Sequence, residues 1–195
     1  MPHPKLFVAL LASAIGVAAC QRPPASVPTP SPASSSIQDL MVALVDPSAD
    51  AIWESVSSET SSKGNVEHQP RTAEEWLAVR RHTIILLEAA TLLTIPNRAV
   101  SAIGKSTEDA HVPGISTPEE IKKMIDRSRP AFDAHARALG EAAGEALAAI
   151  DARDPVRLLA AGGKIDQACE RCHLAYWYPN TTRPPEKWPA RIKGN

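Results

Sequence analysis

Near its C-terminal end the chain reads Cys169-Glu170-Arg171-Cys172-His173. On a helix, Cys169, Cys172 and His173 stand at i, i+3 and i+4 and share one face. A C-x-x-C-H run is the attachment signature of a c-type haem. The spacing has a chemical reason. Two thiols add across the two vinyl groups of one porphyrin, and the next imidazole reaches the iron from the same side as proximal ligand. Such a helix must turn this face toward a large, flat, apolar group, and the rest of the chain must enclose it. Two other uses of the run stay open on spacing alone. A zinc site would need a fourth ligand, and no second Cys pair supplies it. A redox dithiol would not explain the trailing His173 and is usually set in a βαβ pattern, which is missing here.

Composition points to helices. The 195 residues include eight aromatics (4%), while alanine is abundant, which favours helix over a β-sandwich. The length suits one domain with a real core. A formal net charge of −1 gives no basic surface for nucleic acid. The 18 prolines gather toward the two ends.

The first residues read as an export signal. Lys5 supplies a positive start, and Leu6 to Ala19 is an apolar run too short to span a bilayer. It ends Val17-Ala18-Ala19-Cys20, which resembles a bacterial lipoprotein signal, in which cleavage leaves a cysteine that carries diacylglycerol. An ordinary signal with an incidental cysteine also fits the small residues before Cys20. The lipoprotein resemblance implies lipidation of Cys20. With Gln21 rather than Asp next to it, the resemblance implies the outer membrane of a Gram-negative bacterium, facing the periplasm. Lipid on Cys20 would leave Cys169 and Cys172 as a matched pair. The compartment agrees with the motif, because haem attachment of this kind takes place outside the bacterial inner membrane.

Residues 20–35 form a tether. Pro23, Pro24, Pro28, Pro30 and Pro32, spaced by Ser, Thr and Ala, cannot build a core. A first helix opens near Ser36 with the stripe Ile37, Leu40, Met41, Leu44 and Val45. Asp46-Pro47 interrupts it, and Ala51, Ile52, Trp53 and Val56 resume it; one kinked helix and two consecutive helices both satisfy the pattern. Residues 57–71 read as a polar loop. Thr72 with Glu75 forms a capping box for a second helix carrying Trp76, Leu77, Val79, Ile84, Leu86, Leu87, Leu92 and Leu93, which Pro96 ends. A long connection, 97–116, follows, with Gly104, Pro113 and Gly114 as breakers.

Thr117-Pro118-Glu119-Glu120 opens a third helix with the stripe Ile121, Ile125, Phe132, Leu139 and Ala142, and Pro130 is expected to kink it. Gly140 and Gly144 suggest close helix packing. Asp154-Pro155 opens a fourth, in which Val156, Leu158, Leu159 and Ile165 lead into the C-x-x-C-H run. Gly162 and Gly163 fit either a close approach or a local break. The helix should stop before Pro179, and residues 179–195 form a Pro-rich tail. The expected fold is all-α, a four-helix bundle over residues 36–178 with haem on its last helix.

With the motif in the last of four helices, the chain resembles a class II cytochrome c, the cytochrome c′ family. Class I cytochromes c carry the motif near their start. Tyr176 continues a pattern similar to the family's His-x-x-Tyr, although Trp177 stands where a basic residue is usual. The resemblance covers roughly residues 36–178. It implies one covalent haem on Cys169 and Cys172 with His173 as proximal ligand, and dimerisation through the first two helices. Family members with a Met from the first helix as sixth ligand look like electron carriers. Those with an apolar residue there have an open iron and bind nitric oxide or carbon monoxide.

Met41, one turn into the first helix, is therefore the candidate sixth ligand; on its stripe it equally suits core packing. Met124 reads as core. His135 lies on the stripe of Phe132 and Leu139 and fits either a buried, hydrogen-bonded histidine or a second axial ligand. His82 is similar, and His68 and His111 fall in loops. Arg98, Arg127 and Arg129 are candidates for pairing with haem propionates, with nothing to separate them. The expectation is a non-enzymatic, membrane-tethered one-electron carrier that meets a redox partner protein. A gas-binding haem protein and a haem subunit of a respiratory complex are the rivals. No distal acid–base constellation supports catalysis.

Overall fold

The computed structural model describes residues 35–61, 64–108 and 110–180. The leader 1–19, Cys20 and the tether except Ser35 lie outside the described residues, as does the tail beyond Asn180. The described chain is all-α with one small hairpin. Its elements are α1 (Ile37–Leu40), a π-helical turn (Met41–Val45), α2 (Asp46–Ser55), β1 (Ser57–Ser61), β2 (Gly64–His68), α3 (Ala73–Leu93), α4 (Pro118–Arg127), α5 (Arg129–Asp151) and α6 (Pro155–Tyr176).

The helix starts follow their caps. Ser36, Thr72 and Thr117 each accept a hydrogen bond from the backbone N–H three residues on, and the carboxylates of Asp39, Glu75 and Glu120 accept one from the cap N–H. Asp154 caps α6 by accepting from Arg157 N at 3.0 Å. The first two turns of the chain differ from a plain helix. Pro47 has no N–H, and in a continuous α-helix its ring would meet the carbonyl four residues back. The chain resolves this by widening. Asp46 N–H donates to Met41 O, five residues back, and Pro47 falls in the first turn of α2. The helical run thus continues through the Asp46-Pro47 pair. The extra residue moves the buried stripe to Ile37, Leu40, Val45, Ala49, Ile52 and Val56. Met41 and Leu44 are left half-buried at its flanks.

Two further elements depart from the sequence expectation. Residues 57–68 form an antiparallel hairpin, pairing Ser57 with His68 and Ser61 with Gly64. Its strands lack apolar alternation, which is why they read as loop. The turn is enabled by Gly64 at φ +117°, a conformation that favours glycine. The expected kink at Pro130 is a complete break at Ser128 (φ −149°, ψ 71°). Breaking there puts Pro130 in the first turn of α5, where its missing N–H costs nothing. The connection 97–116 is long, as expected. It is also a strap, since Ala99 O and Val100 O accept from Ile37 N and Gln38 N at 2.8 and 2.9 Å. At its other end Ser116 N–H donates to Trp177 O at 2.7 Å.

Packing follows a ring: α5 lies against α6 and α3, α2 against α3, and α2 reaches back to α6. Ile52, Leu86, Leu158 and Ile165 on these helices are fully buried, as is Ile121 on α4. The stripes hold more apolar residues than the faces can bury. Leu77 and Ile84 on α3, and Val156 and Leu159 on α6, are exposed. The α2–α6 contact is close because of Gly162. Trp53 Nε1 donates to Gly162 O at 2.9 Å, and a Cβ on Gly162 would lie 3.2 Å from Trp53 Cδ1. Gly162 therefore serves the close approach, and α6 runs unbroken through it. Gly162→Val should lower stability by about 1–3 kcal/mol in urea unfolding, because the indole has to move off its carbonyl partner. Gly163→Ala, whose added Cβ meets nothing within 4 Å, should raise it by about 0.5–1 kcal/mol through helix propensity.

Candidate functional site

Helix α6 carries Cys169, Cys172 and His173 in its last two turns, all half-buried, with both thiols free of any disulfide. Tyr176, one turn beyond Cys172, turns toward α5. There the Tyr176 ring meets Phe132 edge-on at 5.4 Å and His135 at 5.8 Å. Cys169 and His173 lie on the arc that continues from Gly162, the arc that faces α2. Burial pushes both thiols up to about 12. For Cys169 the charges of Asp46, Asp166 and Glu170 add to burial, and for Cys172 the neighbouring Cys169 adds. At neutral pH both are therefore thiols, not thiolates.

The Trp53–Gly162 hydrogen bond joins the first helical run to α6, and the charge of Asp46 acts on Cys169. Trp53 stands two turns beyond Asp46, and Gly162 two turns before Cys169, so the two segments run antiparallel. The π turn ends on Asp46 and holds Met41. Met41 is thus carried by the one turn whose end acts on Cys169, and its side chain packs against the same core as Cys169 and Cys172. Met124 also packs on that core, from α4.

Beyond the helix end, Tyr178 folds back and is 1% exposed. Its hydroxyl donates to Glu170 Oε2 at 2.7 Å, and its ring meets that of His173 at 6.1 Å. Trp177 lies 5.9 Å from the His173 ring on another side. Burial, then the Glu170 carboxylate, push the Tyr178 hydroxyl up. The backbone N–H groups of Trp177 and Tyr178 both donate to His173 O, at 2.7 and 3.0 Å. Sequence reasoning placed Tyr178 only as a boundary residue. The signal was available in the run of aromatics before Pro179, but only the fold-back turns it toward Glu170 and His173.

The other candidates separate cleanly. His135 is half-buried beside Tyr176, at the motif end of the fold. His82 is at the opposite end, since its neighbour Arg80 bonds Asp151 at the end of α5 while Tyr176 meets Phe132 near its start. His68 and His111 are exposed. Arg127 is exposed, Arg129 pairs with Asp133 at 2.7 Å, and Arg98 is buried. Among the described residues no three His, Cys, Asp or Glu side chains converge as a metal site. None of the described helices is long and apolar enough to cross a membrane.

No family model, curated protein or solved structure matches this chain.

Proposed function

We propose that the chain is a monohaem c-type cytochrome of the class II kind, a four-helix bundle whose α6 holds one covalent haem and which carries single electrons. The observation that supports this reading is the shared face of α6: two half-buried, unpaired thiols one turn apart, with an imidazole directly after the second. The donor chemistry suits a porphyrin better than a bare ion, because one imidazole and two thiols leave a structural zinc site one ligand short. The contacts among α2, α3, α5 and α6 support the bundle reading.

In this reading Cys169 and Cys172 each add across a vinyl group. An S–C bond forms, the vinyl π bond breaks, and the thiol hydrogen passes to the other vinyl carbon, so no oxidant is consumed. His173 serves as proximal ligand. Tyr178 and Trp177 flank its ring, and Glu170 holds Tyr178 in place. Met41 is the candidate sixth ligand, delivered by the π turn. A bound haem supplies reversible exchange between ferric and ferrous iron. Cys20 would carry the lipid and residues 20–35 the tether, holding the domain to a periplasm-facing membrane surface where it meets its redox partner.

The test is the absorption spectrum of the purified protein, ferric and ferrous, with and without carbon monoxide. The expected result is a low-spin haem spectrum with the weak far-red band of Met–iron ligation and no ready carbon monoxide binding. A high-spin spectrum that shifts at once with carbon monoxide would replace the electron carrier with the gas-binding reading. A protein without haem absorbance would remove both.

A further inference from the structure

Arg98 is an unusual arginine. It is 4% exposed, and no carboxylate among the described residues pairs with it. Its guanidinium donates only to neutral oxygens: Nη1 to Ser35 O and, at 2.8 Å, to Ser35 Oγ, and Nη2 to Leu92 O at 3.1 Å. Its Nε–H is buried with no partner. A buried charge is ordinarily paired, and an orphaned buried donor is costly. The C-terminal dipole of α3 offsets part of this charge, but a second guanidinium shares it. Arg129 donates to Leu93 O and Ile95 O at 3.0 and 3.2 Å, and its proximity, after burial itself, disfavours the charged form of Arg98. Arg129 has its own carboxylate in Asp133, whereas Arg98 has none.

The position of this arginine is informative. Helix α6 packs on α5 and α2, and α3 packs on the same two, so α3 stands across the ring from the helix that bears the motif. Arg98 sits at the C-terminal end of α3, which is the motif end of the fold. Contacts run from Tyr176 to Phe132 at 5.4 Å and from the Phe132 ring to the Arg129 guanidinium at 5.3 Å, and Arg129 and Arg98 donate to the adjacent carbonyls Leu93 O and Leu92 O. A porphyrin tied through its vinyl edge carries its two propionates on the opposite edge. We infer that Arg98 is the propionate-binding residue of this protein, a buried guanidinium set at the end of α3 to take one carboxylate of the haem held on α6. The inference rests on the proposed haem. It chooses Arg98 over Arg127, which is exposed, and Arg129, which is already paired. An anion at this place would pair the charge and give Nε–H an acceptor, and an arginine fork suits a carboxylate.

The experiment uses the full holoprotein and the variants Arg98→Gln and Arg98→Lys. Covalent haem is first quantified as the pyridine haemochrome, and the reduction potential is then followed by spectroelectrochemistry from pH 5 to 9. A guanidinium beside a propionate lowers that acid's pKa. Arg98→Gln should therefore keep full covalent haem, lower the potential through loss of a positive charge, and move the propionate-linked inflection to higher pH. It should also shift the propionate bending mode in the resonance Raman spectrum. Arg98→Lys keeps the charge without the fork and should give a smaller displacement of the same sign, which also serves if the glutamine variant does not fold. A variant with full haem and an unmoved inflection overturns the assignment and leaves Arg98 as a cap for α3. A wild-type profile that depends on added phosphate, with that dependence lost in Arg98→Gln, overturns it in favour of a free anion. A wild-type chain lacking covalent haem fails at the first measurement and overturns the parent reading, and with it this one.

Discussion

Replacing Cys169 and Cys172 together with alanine should abolish covalent haem. The double variant is expected to show no haem stain after denaturing electrophoresis and no pyridine haemochrome in the protein fraction, against a stoichiometric signal from the parent chain. The single variants should keep one thioether each, with a haemochrome band displaced toward that of a porphyrin with one free vinyl. The effect is large because each thiol makes a bond that no neighbour can replace, the described residues holding no other cysteine. The fold itself should tolerate the change better than a core truncation would. Both cysteines are half-buried flank residues, whereas Leu158→Ala or Ile165→Ala would empty fully buried positions at about 2–5 kcal/mol each. A double variant that still carried covalent haem would overturn the central reading.

Met41→Ala should convert the iron from a closed to an open site. The weak far-red band should vanish, the ferric spectrum should become high-spin, carbon monoxide should bind readily to the ferrous form, and the potential should fall as thioether ligation is lost. Stability should change little beyond the loss of a half-buried side chain, because the π turn is held by backbone bonds from Asp46 to Met41 O and not by the thioether. Met124→Ala is the matched control, a half-buried methionine on α4 whose loss should leave the spectrum unchanged. If Met41→Ala leaves a low-spin spectrum as it was, Met41 is a packing residue and the sixth ligand is another group, with His135 the next candidate.

The helices were legible where local chemistry decides them. Ser36, Thr72, Thr117 and Asp154 cap the helices at the positions their spacing predicted, and Ile121, Ile125, Phe132, Leu139 and Ala142 are all buried. The proline effects were half legible. That Pro47 and Pro130 disturb a helix follows from the missing N–H, but widening to a π turn in one case and a clean break at Ser128 in the other depend on what each segment packs against. The hairpin was not legible, because its strands carry no apolar alternation. Val156 and Leu159 misled, since an apolar residue on a helix reports its type and not which face meets a neighbour.

The candidate site divides in the same way. Cys169, Cys172 and His173 lie within five residues on one helix, so their juxtaposition is local and readable from spacing. Everything around them is long-range. The strap 97–116 that ties the start of α1 to the end of α6, the antiparallel meeting of the Met41 turn with the motif, the return of Tyr178 onto Glu170 and His173, and the burial of Arg98 at the far end of α3 join residues far apart in the chain or fold a tail back on itself. Which of several arginines loses its water, and which methionines are left half-buried, is decided only when the helix faces compete for one interior. Local spacing cannot encode that competition, because burial belongs to the packed whole.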